Sequence, residues 1–373
     1  MSRRFRSACA EGADWGQAVD ACLAQIAPAD DATFGLVYAT EAMAPHLAEI
    51  VGRLRKATGI DAWTGCVGAG VCGTGREIHA GYGLSLMVGT LPEDAAAPLG
   101  SLRQPEDVAD VAPEDWDVAA RPIVALVHGD PRNAAVPDIL SLLPETLDGY
   151  LIGGLSVAPG GPTQVVDGDL TGGGVSGLLL STAVPVAVGL TQGCRPLGPA
   201  RMVTGTDGDW VTTLDGALAL QALKDDLGPE GASNLKSLGG MVHGAIPVEG
   251  SDTGDYLVRN LMAVDPSDGR LGLAADLEDG DRLMFVRRDA AAAEEDLRAM
   301  VRRLLGRLGA RAAHPRGALY VSCLARPSMF SPPGELAILR DELGAVPLTG
   351  FFANGEVNNN RLYTYTGVLT LFL

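Results

Sequence analysis

The 373-residue sequence predicts an α/β (α+β) fold: repeated βαββ units forming mixed or antiparallel sheets, covered by helices and arranged as two packed halves. Three observations carry this. An order of strand, helix, strand and strand occurs three times along the chain. The later strands of each copy come after glycine-rich, hairpin-like turns, which a purely parallel sheet does not contain. A strand-rich block of different character separates the second copy from the third.

The first copy opens with the apolar run FGLVYAT (34–40). Next comes APHLAEIVGRLRKATG, in which Leu47, Ile50, Val51 and Leu54 recur at helical spacing and Gly59 closes the helix. DAWTGCV then runs into a glycine-rich turn before GLSLMVGTL. The second copy reads IVALVHG, VPDILSLLPETL, GYLIGGLSV, a Gly/Pro turn and VSGLLLS; the third reads ALYVSCLA, ELAILRDEL, VPLTGFFANGEV and YTYTGVLTLFL. Thr64-Gly65-Cys66, Ile152-Gly153-Gly154 and Thr349-Gly350-Phe351 align as their common centre. In the intervening block, strands with turns at Gly198-Pro199 and Asp207-Gly208 lead to a helix ending at Gly228. A long amphipathic helix begins after Asp289, with Leu297, Met300, Val301, Leu304, Leu305 and Leu308 as its apolar stripe. The expected division is an N-terminal segment over 1–30 and domains over 31–183 and 184–373.

Composition narrows the function. A formal charge of -18, from 46 acidic and 28 basic residues, opposes binding to nucleic acid or to an anionic membrane. The one basic run (Arg298, Arg302, Arg303, Arg307, Arg311) reads as a solvated helix face. The N-terminus has no apolar signal core, no run approaches membrane-spanning length, and six scattered cysteines without a CxxC pair read as reduced thiols. These features predict a cytoplasmic protein.

Motifs for common chemistries are missing or out of context. Gly68-Ala69-Gly70-Val71-Cys72-Gly73 fits GxGxxG, but the next residues, TGREIHAGYGLSL, read as a hairpin rather than the helix that would meet a pyrophosphate. There is no P-loop, HExxH or GxSxG. The histidines 46, 79, 128, 243 and 314 show no metal-ligand spacing; His79, His128 and His243 read as structural residues at strand ends. Two segments stand out. In Gln192-Gly193-Cys194-Arg195-Pro196-Leu197-Gly198 a thiol neighbours a guanidinium, with no acid–base partner nearby in sequence, so a pocket wall is the better reading than a nucleophile. Asn354-Gly355 carries a type I′ hairpin signal, and Glu356 comes directly after it, with Asn358, Asn359 and Asn360 extending the polar patch.

These segments carry a resemblance. TQGCRPLGPARMVTGTDGDWVTTLDGALAL and PLTGFFANGEV with LYTYTGVLTLFL resemble the start and end of the C-terminal domain of the FIST family (F-box and intracellular signal transduction). TGCVGAGVCG with GYGLSLMVG resembles the glycine-rich hairpin of its N-terminal domain. The usual Gly-Glu ending of that hairpin falls at Gly75-Arg76-Glu77, displaced by VCG. The resemblance implies a small-ligand-binding sensory protein rather than an enzyme, with amino acids as proposed ligands and a separate signalling partner such as a histidine kinase. It also implies one alternative, a haem-binding nitric-oxide sensor; the residues themselves leave another, an enzyme using Cys194 if a histidine approaches it in space. No metal or catalytic residue is assigned. The expected ligand residues are Cys66, Gly70, Gln192, Cys194, Arg195, Gly198, Asn354, Gly355 and Glu356. In this reading Arg195 holds the carboxylate of a zwitterion and Glu356 its amine.

Overall fold

A computed structural model of the protein describes residues 5–29, 31–111, 116, 120–157, 160–233, 239–251, 254–309 and 315–373. Arg311 and His314 lie outside the described residues. The chain forms two compact units: residues 1–191 with 294–373, and residues 192–293. The expected split between 183 and 184 runs along the chain, whereas the third repeat belongs to the same unit as the first two.

The first unit holds three six-stranded sheets built to one plan. In the first sheet the order is Arg6–Gly12, Tyr82–Gly89, Phe34–Thr40, Trp63–Gly68, Gln164–Val166 and Asp169–Thr171. The second runs Ala96–Leu102, Val175–Leu180, Val124–Gly129, Tyr150–Leu155, Glu356–Asn358, Arg361–Tyr363, and the third runs Val186–Gln192, Thr366–Phe372, Gly317–Cys323, Leu348–Ala353, Gly70–Gly73, Arg76–Ile78. The third and fourth strands of each sheet are parallel and joined by a helix: Leu47–Thr58, Val136–Leu147 or Glu335–Leu343. The last two strands of each sheet are a hairpin that belongs to another repeat. The first repeat gives its hairpin to the third sheet, the second to the first, and the third to the second. Three repeats thus complete one another in a closed cycle.

Each repeat also begins earlier than its sequence pattern suggests. The leading strands start at residues 6, 96 and 186. Residues 6–26 are therefore not a separate segment: Arg6–Gly12 pairs with Tyr82–Gly89, and the helix Trp15–Ile26, capped by Asp14, buries Ala18, Val19, Cys22 and Ile26. After the third leading strand the chain passes through the second unit and returns along the helix Ala290–Leu308. There Leu297, Met300, Val301 and Leu304 are buried as the stripe predicts, with Leu305 and Leu308 partly buried. Its arginines are paired, Arg298 and Arg302 with Glu342 at 3.1 and 2.7 Å and Arg303 with Asp296 at 3.8 Å.

The second unit is an antiparallel sheet that closes on itself. Arg282–Arg288 pairs with Arg201–Asp207, and pairing continues through Trp210–Leu214, Arg270–Leu273, Tyr256–Asp265 and Val242–Pro247 back to Arg282–Arg288. Leu220 and Leu223 of the helix Ala219–Ser233 pack with Val203, Val211, Leu271 and Phe285 in its core. Gly228, at φ 69° and ψ 176°, breaks that helix where the sequence ends it.

In the three-repeat unit, one residue of each parallel pair must be glycine. A Cβ on Gly65, Gly153 or Gly350 would lie 1.7, 2.0 or 1.8 Å from the carbonyl oxygen of Val37, Val127 or Tyr320 on the neighbouring strand. Gly350→Ala is therefore expected to destabilise the protein by at least about 3 kcal/mol in urea unfolding. Gly52→Ala, on an exposed helix face with nothing within 4 Å of the added methyl, is expected to stabilise it by about 0.5–1 kcal/mol. Equal effects of the two changes would contradict this packing.

Candidate functional site

The shared plan identifies equivalent positions. The first strand of each exchanged hairpin places one residue opposite the position after the crowded glycine: Val71 opposite Phe351, Gln164 opposite Cys66, and Glu356 opposite Gly154. One slot therefore holds an apolar residue, an amide and a carboxylate. Gly75-Arg76-Glu77 is thus not the counterpart of Gly355-Glu356, because register assigns that role to Val71. Glu77 sits in the outer strand of the hairpin, where its Oε1 accepts from Leu336 N at 3.0 Å and Oε2 meets His79 at 2.9 Å. It caps the helix Glu335–Leu343.

The three slots differ in how their polar atoms are used. Val71 needs no partner. Buried Gln164 is satisfied, its Nε2 donating to Gly174 O at 3.1 Å and its Oε1 accepting from Ser176 Oγ at 2.8 Å. Glu356 is 0% exposed, and its Oε2 accepts from Thr366 N and Oγ1 at 3.1 and 2.8 Å. Its Oε1 is buried and meets no N–H or O–H donor among the described residues, which leaves the Cys323 thiol as the only other hydrogen-bonding group described beside the carboxyl. Burial pushes the Glu356 carboxyl up to about 8, against the opposing pull of Thr366, the Cys323 thiol and Arg326. Burial likewise raises the thiol of Cys323 beside it.

A second charged group sits close by. Arg326, 1% exposed, comes shortly after the strand Gly317–Cys323. Its Nε donates to Glu335 Oε2 at 3.0 Å, its Nη1 reaches Tyr365 O at 3.4 Å, and its Nη2 has no partner among the described residues. Glu335 also accepts from Tyr320 Oη at 2.9 Å and from Ser322 Oγ. Burial alone would lower the Arg326 pKa, but Glu335, Tyr320 and Glu356 outweigh it and keep the guanidinium charged. Neither Arg326 nor Glu335 stands out in the sequence. Their signal was weak: a strand with Tyr320 and Ser322 on one face, with an arginine within a turn of its end.

The other predicted residues have definite structural partners. Asn354-Gly355 is not a type I′ hairpin turn. The strands on either side lie in different sheets, Gly355 has φ 133°, and its carbonyl and the Asn354 amide pair with Leu155. The hairpin turn falls instead at Asn359-Asn360, and Asn358 Oδ1 accepts from Tyr150 Oη at 2.8 Å. Cys66 is buried with its thiol well above the ordinary range, and Gly70 leaves room for His79 and Phe352. Cys66, Gly70 and Glu356 thus occupy the first, third and second sheets, each near the exchange. Within the second unit, Gln192 Nε2 donates to Tyr256 O at 2.8 Å and Tyr256 Oη to Cys194 O at 2.6 Å. Gly198 makes room for Asp226, which clamps Arg201 at 2.6 and 2.7 Å; a Cβ there would fall 2.1 Å from the carboxylate. Half-exposed Arg195 lies 3.8 Å from Asp289.

Residues 33–217 match the model of the FIST N domain, and residues 219–359 that of the FIST C domain. The chain belongs to the FIST family. Relatives of this FIST protein include the uncharacterized protein Rv0628c of Mycobacterium tuberculosis (strain H37Rv), 35% identical over 262 residues, 65% of each chain. Uncharacterized protein Mb0898c of Mycobacterium bovis is 36% identical over 219 residues, 56% of this chain and 55% of that one. The matches span 65% of the length of the first relatives and less of the others. FIST domains are sensory modules of signal transduction, not catalysts. No helix among the described residues is long and apolar enough to cross a membrane, and no group of three or more His, Cys, Asp or Glu among them is placed to hold a metal.

Neither His128 nor the two larger cavities described offers haem a ligand. His128, the histidine at the centre of the three sheets, is 0% exposed. It is packed against Tyr38 and Phe351, and burial pushes its imidazole down to about 3. Cavities of about 470 Å³ in the first unit and 540 Å³ in the second are lined by neither histidine nor cysteine.

Glu356 makes a pH-dependent contribution to stability. Its folded pKa of about 8 lies above the ordinary 4.5, so the folded chain holds a proton that the unfolded chain releases. The associated stability is fully present below pH 4.5 and is lost as pH rises through about 8. Urea melts of wild type and Glu356→Gln should diverge in this direction, with only wild type losing the increment. Parallel pH profiles would contradict the assignment.

Proposed function

We propose that this FIST protein senses a small polar ligand bearing an amine, with an amino acid as the best-fitting class, and that Glu356 is the group that accepts the amine. The observation that carries the reading is the Oε1 of a wholly buried carboxyl, which meets no N–H or O–H donor among the described residues, at the one ionisable position of three equivalent slots. A buried acceptor without a donor costs about 1–3 kcal/mol, and a retained cost of that kind is expected where binding recovers it. An ammonium group supplies both the donors and the counter-charge. Arg326, with one nitrogen uncommitted, is placed to balance the charge or to meet a carboxylate.

Enclosure supports a sensory role. Because Glu356 is covered on all sides, a ligand can reach it only if side chains now in contact separate. Occupancy and conformation are then linked, and a ligand that prefers the opened form shifts the population toward it. The output passes to a separate signalling protein, for which a histidine kinase is our leading candidate, in a cytoplasmic setting. Arg195 is tested in its own right by Arg195→Ala.

Binding an ammonium to a carboxyl that is largely protonated at pH 7 drives a proton off. Calorimetric titration with a panel of amino acids, in two buffers of different ionisation enthalpy, should reveal a ligand whose binding releases close to one proton. Glu356→Gln should weaken that ligand at least about a hundredfold, the scale expected for a buried charged hydrogen bond. Binding that is proton-neutral and unchanged in Glu356→Gln would overturn the proposal.

A further inference from the structure

The closed cycle of three sheets creates three clefts at the ends where the parallel strands begin, and two of them are filled. Between the first and third sheets lies Phe5, its ring 5.2 Å from Phe34 and 5.4 Å from Phe372, with the Arg316 guanidinium 4.6 Å away. Between the second and third sheets, buried Val184 packs in one cluster with Leu180 and Leu319, joined by Val186 and Val188. Between the first and second sheets there is a cavity of about 470 Å³. That volume is in the range of small-molecule sites, about 300–1,000 Å³.

The lining of this cavity has a definite chemistry. Phe34 and Thr64 come from the first sheet, Ala96 and Leu178 from the second. Thr64 is 2% exposed and carries its hydroxyl into the wall of the cavity. At the mouth stand the exposed carboxylates of Glu93, Asp94 and Asp167; no lysine, arginine or histidine lines the site. Asp167 faces Arg55 across the turn, whereas Glu93 and Asp94 form no ion pair with a described residue. An apolar floor, one buried hydroxyl and an anionic rim suit a molecule with a hydrophobic body and one cationic end.

We propose that this cleft is a second ligand site, distinct from the Glu356 slot, for an organic monoamine with an aromatic or aliphatic body. The body lies between Phe34 and Leu178, and the ammonium meets Glu93 and Asp94. The test uses 2-phenylethylamine as probe, with 3-phenylpropionate and 2-phenylethanol as charge controls, in calorimetry on the full chain. The amine should bind, with the alcohol at least about tenfold weaker and the carboxylate weaker still. The paired change Glu93→Gln with Asp94→Asn, on an exposed loop where asparagine tolerates the φ of 54°, should weaken the amine about tenfold and leave the alcohol unchanged. Ala96→Phe should abolish binding of both by filling the space. Glu356→Gln should bind the probe as wild type does, which separates this site from the amino-acid reading. No binding of the amine to wild type, equal binding of amine and carboxylate, or an unchanged affinity in the Glu93/Asp94 variant would each overturn the proposal. If Ala96→Phe does not fold, the Glu93/Asp94 variant decides the matter.

Discussion

Each sheet of the three-repeat unit is completed by a hairpin from a different repeat, and that exchange sets the position of everything else at its centre. A hairpin of two strands only three or four residues long buries too little to be stable alone. It is ordered only by pairing beside a parallel strand pair that already exists, so no single repeat has a finished sheet. The crowded glycines arise from the same constraint. Where helix-linked parallel strands and an added hairpin converge, a strand residue presses on its neighbour's carbonyl, and a side chain there would separate the pair. The exchange also explains why the leading strand and helix at 6–26 belong to the fold: they finish the far edge of the first sheet, as 96–102 and 186–192 do for the others.

A threefold plan supplies three versions of every position, and function can then be read from where they differ. Val71, Gln164 and Glu356 occupy one slot, and the differences among them are electrostatic rather than geometric. Gln164 shows that the slot can hold a polar side chain with both its nitrogen and its oxygen hydrogen-bonded. Glu356 departs from that solution: one oxygen is held by Thr366, and the other is left over beside a guanidinium that is itself only partly used. Replacing such a group with an apolar one would relieve the cost of burial, so its presence points to a role other than stability.

Much of the fold was legible in the sequence because its helices and long strands advertise themselves locally. Leu47, Ile50, Val51 and Leu54 make a stripe whatever lies beneath them, and the helix after Asp289 orders its charges with its dipole. The exchange was not legible, because partner choice between strands is decided by tertiary contact and leaves no local trace. Asn354-Gly355 carries the composition of a type I′ turn, yet it is where the chain crosses from one sheet to the next. A turn with both central residues at positive φ lies instead at Asp167-Gly168, at 50° and 78°, inside a stretch read only as a Gly/Pro turn. Strands of three residues are too short for periodicity to reveal. Glu356 stood out because it directly follows Asn354-Gly355, where glycine clears space at a strand end for a carboxylate to meet a polar ligand. Arg326 and Glu335 were missed because each sits at the end of an element, where charged residues are ordinary.

The central claim is that the exchanged hairpin of the third repeat encloses a carboxyl that the protein itself does not fully satisfy. Carbon-detected NMR of side-chain carboxyls, with Glu356→Gln used to assign the resonance, tests it directly. The account predicts one glutamate carboxyl titrating near pH 8 in wild type and absent from the variant. A spectrum in which every glutamate of the wild-type protein titrates in the ordinary range near 4.5 would contradict it.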